Sequence, residues 1–170
     1  MDNPILLFAP IAVIVVLAML LPGWIRRSSN TRARRAGRRF EEGQLLVILD
    51  SLGTALDLGT DPEAARRLVD RMVQREPRKY TMLGNGVYGI RFVEPDDAIV
   101  RLTASDMGTR LRVEEFREYL GRPNTAGFWN DLRSGVIAEA EAHGIPTTAP
   151  SSPSTFERRG GPEPVWRLSG

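Results

Sequence analysis

Few side chains of this chain are of a type that could carry out covalent chemistry. The 170 residues include no cysteine and a single histidine, His143, so this chain has no cysteine nucleophile and no Cys/His metal site. A Ser-His-Asp arrangement would have to use His143, which falls at the end of a predicted helix, where a histidine favours the helix dipole. We therefore expect His143 to cap the helix or lie on the surface, and we expect no catalytic residue.

Two short segments contain residue types found in cofactor and cation sites. Residues 83–89, Leu-Gly-Asn-Gly-Val-Tyr-Gly, are rich in glycine, but they lack the dinucleotide-binding pattern, and an Asn-Gly hairpin turn is the better interpretation. Glu94, Asp96 and Asp97 cluster in a proline-containing turn, and a cation site would need more oxygen ligands at set spacing. The sequence therefore predicts a solvated loop here, with no metal and no cofactor.

A third set of residues could enclose an apolar ligand. Apolar and aromatic side chains recur on the predicted strands and the last predicted helix, where they form either the domain core or the wall of a cavity. An arginine that points inward from a strand needs a partner or a ligand. An inward orientation of Arg91 or Arg101 would therefore favour the cavity over a filled core. The residues that would line the cavity are Tyr80, Tyr88, Ile90, Phe92, Val100, Leu111, Val113, Trp129 and Leu132.

Two helices are predicted around these residues. Asp61-Pro62-Glu63 is typical of a helix start, and the apolar spacing that follows continues until Pro77, which predicts a helix over 62–75. A second, long helix begins at Asn124 or Thr125 and ends at His143-Gly144, because glycine commonly follows a helix C-terminus. Residues 44–59 are ambiguous and predict a short apolar helix or extended piece before a strand near 53–58.

Strands are predicted between the two helices. They cover 79–83, 87–93, 98–104 and 109–116, with turns at Asn85-Gly86, 94–97 and 105–108. In the last two strands apolar residues alternate with polar ones, which indicates an antiparallel sheet with one solvated face. The predicted domain is therefore α+β, with the long C-terminal helix packed on the sheet.

Residues 5–25 carry no charge and are long enough to cross a hydrocarbon core as a helix. The start of the chain is acidic and no small-residue cleavage pattern follows, so we expect a membrane anchor rather than a cleaved signal peptide. Seven arginines follow the apolar run, and positive charge stays on the cytoplasmic side. The sequence thus predicts a single-pass protein of the cell membrane, with its N-terminus outside and its C-terminal domain cytoplasmic.

The basic linker at 26–43 has two possible roles, which can coexist. It is a topology signal, and it can also contact anionic lipid headgroups, each arginine near the surface contributing about 1 kcal/mol. The headgroup contacts would come from Arg26, Arg27, Arg32, Arg34, Arg35, Arg38 and Arg39.

The distribution of charge argues against nucleic acid as a partner. The chain carries a net charge of +2, of which the residues before Phe40 contribute +6, so the remainder carries −4. Affinity for phosphates comes from clustered positive charge, which that remainder lacks. Lys79 is the only lysine, and we interpret the preference for arginine as the mark of a GC-rich, actinobacterial-type genome.

The segment 145–170 contains five prolines among many Ser, Thr and Gly residues, a composition that predicts a disordered tail. Its apolar stretch 164–168 could be a docking motif anchored by Trp166, or it could pack back on its own domain. The predicted organisation is a transmembrane anchor at 1–25, the basic linker, a cytoplasmic α+β domain at 44–144 and this tail.

The predicted order of elements resembles the helix-grip fold of the START-like (Bet v 1, SRPBCC) superfamily. Residues 56–65 look like its first strand and following helix, and residues 108–114 with Phe128-Trp129 look like its late strands and grip helix. The resemblance is at the level of pattern, and the chain shows fewer strands than the family usually has. It implies an apolar ligand or lipid held between the sheet and the last helix.

Two functions are therefore expected, neither of them enzymatic. The first is a membrane-anchored accessory or scaffold protein that docks onto a larger membrane assembly, with a membrane protein as its partner. The second is a START-like module that binds a lipid or other apolar ligand at the cytoplasmic leaflet. A cavity of roughly 300 Å³ or more would favour the second.

Overall fold

The computed structural model describes residues 41–161 and 164–169, which include the compact unit that contains the sheet. The described residues form three helices and nine strands. The helices are α1 (41–53), α2 (Pro62–Arg75) and α3 (Ala126–Ala142). The strands are β1 (Leu56–Leu58), β2 (Tyr80–Gly84), β3 (Val87–Ile90), β4 (Ala98–Ser105), β5 (Gly108–Tyr119), β6 (Arg122–Pro123), β7 (Thr147–Thr148), β8 (Phe156–Arg159) and β9 (Val165–Leu168).

Helix α2 begins and ends where its sequence predicts. The side chain of Asp61 accepts hydrogen bonds from the backbone N–H groups of Glu63 and Ala64, both at 3.0 Å, and Pro62 occupies the first turn. The helix ends at Arg75, shortly before Pro77, which cannot continue a helix. Its buried face consists of Ala65, Leu68, Val69 and Val73.

The sheet is antiparallel and is organised around β5. One edge of β5 pairs with β4 along most of its length, and β3 and β2 follow outward. The other edge is shared: β1 pairs with residues 109–111 of β5, and β9 pairs with residues 115–117. Strand β7 extends the sheet beyond β1, and β8 extends it beyond β9. Both ends of the domain are therefore attached to one strand.

One face of the sheet is covered by the helices, and the core lies between them. Trp129, Leu132 and Val136 of α3 belong to the same buried cluster as Val100 of β4 and Leu111 of β5. The Nε1 of Trp129 donates a hydrogen bond to the Ser51 carbonyl of α1 at 3.2 Å. The opposite face carries ion pairs instead, in agreement with the alternation of its strands.

The tail prediction is wrong for the described part of 145–170. Strands β7, β8 and β9 lie in this segment, and Trp166 is only 9% exposed. The prediction from composition failed because the few apolar side chains of this segment pack on the core of the preceding residues and need not form a core of their own. The ring of Phe156 meets that of Phe116 at 4.9 Å, and Trp166 stacks on the same ring at 6.0 Å.

The predicted fold class and localisation also need correction, because both depended on a transmembrane helix. Among residues 41–161 and 164–169, no helix is both long and apolar enough to cross a membrane. The longest of them, α3, has 17 residues, about 25 Å at 1.5 Å per residue. The predicted span at 5–25 and the seven linker arginines lie outside the described residues. The structure supports a mostly antiparallel sheet with three helices.

Candidate functional site

Eight of the nine residues proposed to line a cavity lie together in the core. Each of the eight is at most 2% exposed and belongs to one buried cluster with residues of α1 and α2. Phe92 does not join them: its side chain is 46% exposed, and its ring lies 5.9 Å from that of Tyr119. The eight core residues are Tyr80, Tyr88, Ile90, Val100, Leu111, Val113, Trp129 and Leu132.

The polar atoms of the core aromatic residues are hydrogen-bonded within the protein. The hydroxyl of Tyr80 donates to the Phe128 carbonyl at 2.9 Å, and that of Tyr88 donates to Oδ1 of Asp70 at 2.8 Å. Burial raises the pKa of both hydroxyls, so both stay protonated at neutral pH. With the Trp129 indole bonded to α1 as well, these atoms are engaged by the protein rather than available to orient a ligand.

The two strand arginines expected to separate cavity from core do not point inward. Arg101 lies on the face opposite the helices, where its Nε is 2.6 Å from Oε2 of Glu114, and Arg91 is exposed. A shallow open depression of about 420 Å³ on this face is lined by Arg101, Glu114, Glu115 and Arg167, among others. The Glu115 carboxylate pairs with Arg167 at 2.6 Å. These charges neutralise one another, so this face offers no concentrated charge to a ligand.

Two buried carboxylates hold the outer strands on β5. Asp57 of β1 is 4% exposed and accepts two hydrogen bonds from Arg110, at 2.7 and 2.8 Å. Glu118 accepts two from Arg158, at 2.8 and 2.9 Å, and one from Nε1 of Trp166 at 2.9 Å. The bonds from Arg158 lower the pKa of Glu118, burial opposes them, and the indole bond adds to the lowering. Both carboxylates are structural.

A third carboxylate, Asp97, organises the loop between β3 and β4, which we call the 91–97 loop. Its Oδ2 accepts hydrogen bonds from three successive backbone N–H groups, those of Phe92, Val93 and Glu94, at 3.1, 2.5 and 2.8 Å. Its Oδ1 accepts one from the Tyr119 hydroxyl at 2.5 Å. Burial alone would raise the pKa of Asp97, but these bonds outweigh it and lower the pKa. A fully buried, ionised side chain thus fixes the loop backbone.

The same loop presents apolar side chains to solvent. Phe92 and Val93 are 46% and 58% exposed, and Leu83 at the end of β2 is 43% exposed. The loop lies against Gly89 of β3: a Cβ added there would collide with the Pro95 carbonyl and lie 3.2 Å from Leu83. Leu83 and Pro95 therefore lie on the same side of the sheet, next to one another. The rigid backbone and exposed apolar side chains make this loop the candidate site.

His143 and the acidic turn show no arrangement for chemistry. Nδ1 of His143 lies 2.8 Å from the Glu139 carbonyl, to which it donates, and Nε2 lies 3.5 Å from Nη2 of Arg71 on the surface. Asp96 pairs with Arg117 at 2.9 Å instead of joining Asp97 around a cation. Within 41–161 and 164–169, no group of three or more His, Asp or Glu residues could hold a metal ion.

Comparisons with protein-family models, curated proteins and solved structures gave no match to this chain. The resemblance to the START-like superfamily therefore stays a prediction.

Sequence reasoning missed the role of Asp97 and of the Glu118–Arg158–Trp166 group. The pattern placed Asp97 in a turn, where a solvated carboxylate is the usual case. Its main partner other than the loop amides comes from β5, 22 residues later in the chain. The sequence contains no signal that links Glu118 to a tryptophan 48 residues away.

Proposed function

We propose that this domain is a non-catalytic docking module that binds another protein through the 91–97 loop. One observation carries the proposal: buried Asp97 fixes the backbone of a loop whose side chains Phe92 and Val93 remain in solvent. Burying a carboxylate is costly unless all its hydrogen bonds are satisfied, and here four donors satisfy it. The hydrophobic effect alone would bury Phe92 and Val93 rather than display them.

A fixed loop is an advantage for binding. Association loses conformational entropy at every segment that becomes ordered, and a loop already ordered in the free protein avoids that loss. An exposed aromatic residue beside an apolar neighbour is the usual anchor of a protein interface. The expected partner is a protein with an apolar recess that receives Phe92, with Val93 and Leu83 at its rim.

A module that binds an apolar ligand between the sheet and α3 is the alternative, and it has less support. The residues that would line its cavity form one cluster with Leu52 of α1 and Phe116 of β5, which are themselves fully buried. The hydroxyls of Tyr80 and Tyr88 are bonded to the protein itself. A ligand pocket is normally apolar with a few convergent polar groups left to fix the ligand.

The proposal is tested with a photo-cross-linking amino acid at position 92 of the full chain. A matched control carries the same amino acid at Met107, which is 57% exposed in the turn between β4 and β5. We expect a protein partner to be captured from position 92 and not from position 107. The captured protein is then purified, and its affinity for the native chain is compared with that for Phe92→Ala.

Removal of an anchoring aromatic side chain costs about 2 kcal/mol of binding free energy, roughly a thirty-fold loss of affinity. An unchanged affinity in Phe92→Ala would overturn the proposal. Native mass spectrometry of the purified chain tests the alternative, because a co-purifying apolar ligand of lipid size would favour a binding module over a docking module.

A further inference from the structure

Four strands lie at open ends of the described sheet, and they differ in how well their edges are protected. Strands β6 and β7 have only two residues each, and β8 carries Glu157, Arg158 and Arg159 among its four. Strand β2 has five residues, Tyr-Thr-Met-Leu-Gly, with no charge and no proline. Edge strands are normally kept short or charged to prevent pairing with other chains. Strand β2 lacks both protections, and its ladder with β3 has one register shift, between Met82 and Gly84.

The backbone of β2 has hydrogen-bonding groups directed away from the sheet. The N–H of Arg91 donates to the Lys79 carbonyl at 2.8 Å, toward β3. Bonded and non-bonded pairs alternate along an antiparallel ladder, and Thr81 pairs with Gly89 while Met82 pairs with Tyr88. Thr81 therefore bonds to β3, and the N–H and C=O of Met82 point toward the open edge. The Met82 side chain is also 42% exposed.

We infer that β2 pairs with β2 of a second copy of this chain, antiparallel and across a twofold axis at Met82. In that arrangement the N–H of each Met82 donates to the carbonyl of the other, and Thr81 lies opposite Leu83. Such an interface is isologous, so the same strand serves both copies. The two sheets then become continuous.

Charge favours a second copy as the occupant of this edge. Like charges directly opposite one another destabilise a strand pair. With the axis at Met82, Lys79 lies opposite Asn85 and Arg78 lies opposite Gly86, so no two charged residues oppose each other. Neither Asn85 nor Gly86 is bulky enough to obstruct the approach. A pairing of five residues buries much less surface than the roughly 1,200–2,000 Å² of a stable complex. The dimer should therefore dissociate on dilution.

The absence of cysteine from the chain provides a direct test. In Met82→Cys the only thiols that can meet belong to two copies, and opposed residues of a hydrogen-bonded pair have Cα atoms about 5.5 Å apart, within disulfide range. We expect mild oxidation of the full chain to give a disulfide-linked dimer. The control, Met107→Cys, has a similarly exposed thiol away from β2 and should stay monomeric.

A second pair of variants fixes the register. Mixing Thr81→Cys with a differently tagged Leu83→Cys should give the mixed dimer at least about ten-fold in excess over either homodimer, because only the mixed pair places the two thiols opposite one another. If Met82→Cys cross-links no more than Met107→Cys, or cross-links to a different protein, the inference is overturned. Circular dichroism of each variant checks that the fold is intact. An intact fold is expected for Met82 and Leu83, which are nearly half exposed, and for Thr81, whose side-chain oxygen makes no hydrogen bond in the described structure.

Discussion

Nε1 of Trp166 donates a hydrogen bond of 2.9 Å to Oε2 of Glu118, joining β9 to the end of β5. Arg158 of β8 neutralises the same carboxylate from the side, and the Trp166 ring stacks on Phe116. The Glu118 carboxylate is only 7% exposed, and residues of the 156–168 hairpin donate its hydrogen bonds. The hairpin is part of the folded domain because it supplies hydrogen-bond donors to the Glu118 carboxylate and covers the ring of Phe116.

Replacement of either partner should destabilise the domain. Glu118→Gln loses the charge-assisted pair with half-exposed Arg158, which we expect to lower the free energy of unfolding by about 1–2 kcal/mol. Trp166→Phe keeps an aromatic ring against Phe116 but loses the N–H donor, and should lower it by about 1 kcal/mol. Urea unfolding measures both. The control is Glu157→Gln, at an exposed residue of β8. Its free energy of unfolding should stay within about 0.5 kcal/mol of the native value.

The stability of the domain should fall in acid. The pKa values of Glu118 and Asp97 are both lowered in the folded protein, whereas unfolded carboxyl groups titrate at about pH 4. The unfolded chain therefore binds more protons in this window, and stability is complete above about pH 5 and is lost as the pH falls through the folded pKa values. Unfolding free energies are measured between about pH 2 and 6, the range in which carboxyl groups titrate. Their slope against pH should be flatter in Glu118→Gln and in Asp97→Asn than in the native chain. Identical slopes would contradict the assignment.

Asp97 and its neighbour Asp96 should respond differently to the same substitution. Asp97→Ala leaves three backbone N–H groups and the Tyr119 hydroxyl without their acceptor, and we expect a loss of about 3 kcal/mol in unfolding free energy. Asp96→Ala removes only a partly exposed pair with Arg117 and should cost less than about 1 kcal/mol. Hydrogen exchange at the amides of Phe92 and Val93 should accelerate in the first variant only. Equal effects of the two substitutions would mean that Asp97 does not hold the loop.

The turn between β5 and β6 should gain stability from one substitution. Leu120 has a φ of 51°, and Gly121 follows with a φ of 79°. Tyr119 pairs with Arg122, which leaves a two-residue hairpin loop. Two positive φ angles in such a loop favour Asn-Gly, and a left-handed conformation costs a leucine about 1–2 kcal/mol. Leu120→Asn should raise the unfolding free energy by about 1 kcal/mol in a thermal or urea denaturation series. Leu120→Ala, which cannot relieve the strain, should not.

Local signals were sufficient for some elements of this fold. Asp61-Pro62-Glu63 and Pro77 delimit α2, and the alternation of apolar and polar residues along 98–104 and 109–116 identifies β4 and β5. In these segments the residues that determine the structure lie within one turn or strand. Residues 44–59 remained ambiguous, because helix α1 and strand β1 follow each other within a few residues.

Contacts between distant residues determined what the sequence did not reveal. The sequence left open whether Trp166 packs on its own domain, and its contacts with Glu118 and Phe116 in the structure place it there. Asp97 accepts a hydrogen bond from Tyr119, 22 residues later in the chain, in addition to those from the loop amides. Phe92, expected in a cavity with the core aromatic residues, follows the turn of the loop out to the surface. Composition and periodicity do not register such pairings, so the candidate site could not be predicted from them.

The sharing of one β5 edge between β1 and β9 has a consequence for synthesis on the ribosome. Residues 115–117 of β5 pair with residues 165–167, so that half of the edge stays unpaired until nearly fifty further residues have been made. During this interval the nascent chain exposes Phe116 and unpaired backbone groups, the features that recruit chaperones or promote aggregation. Closure of the fold is thus a late event in synthesis that waits for a distant segment.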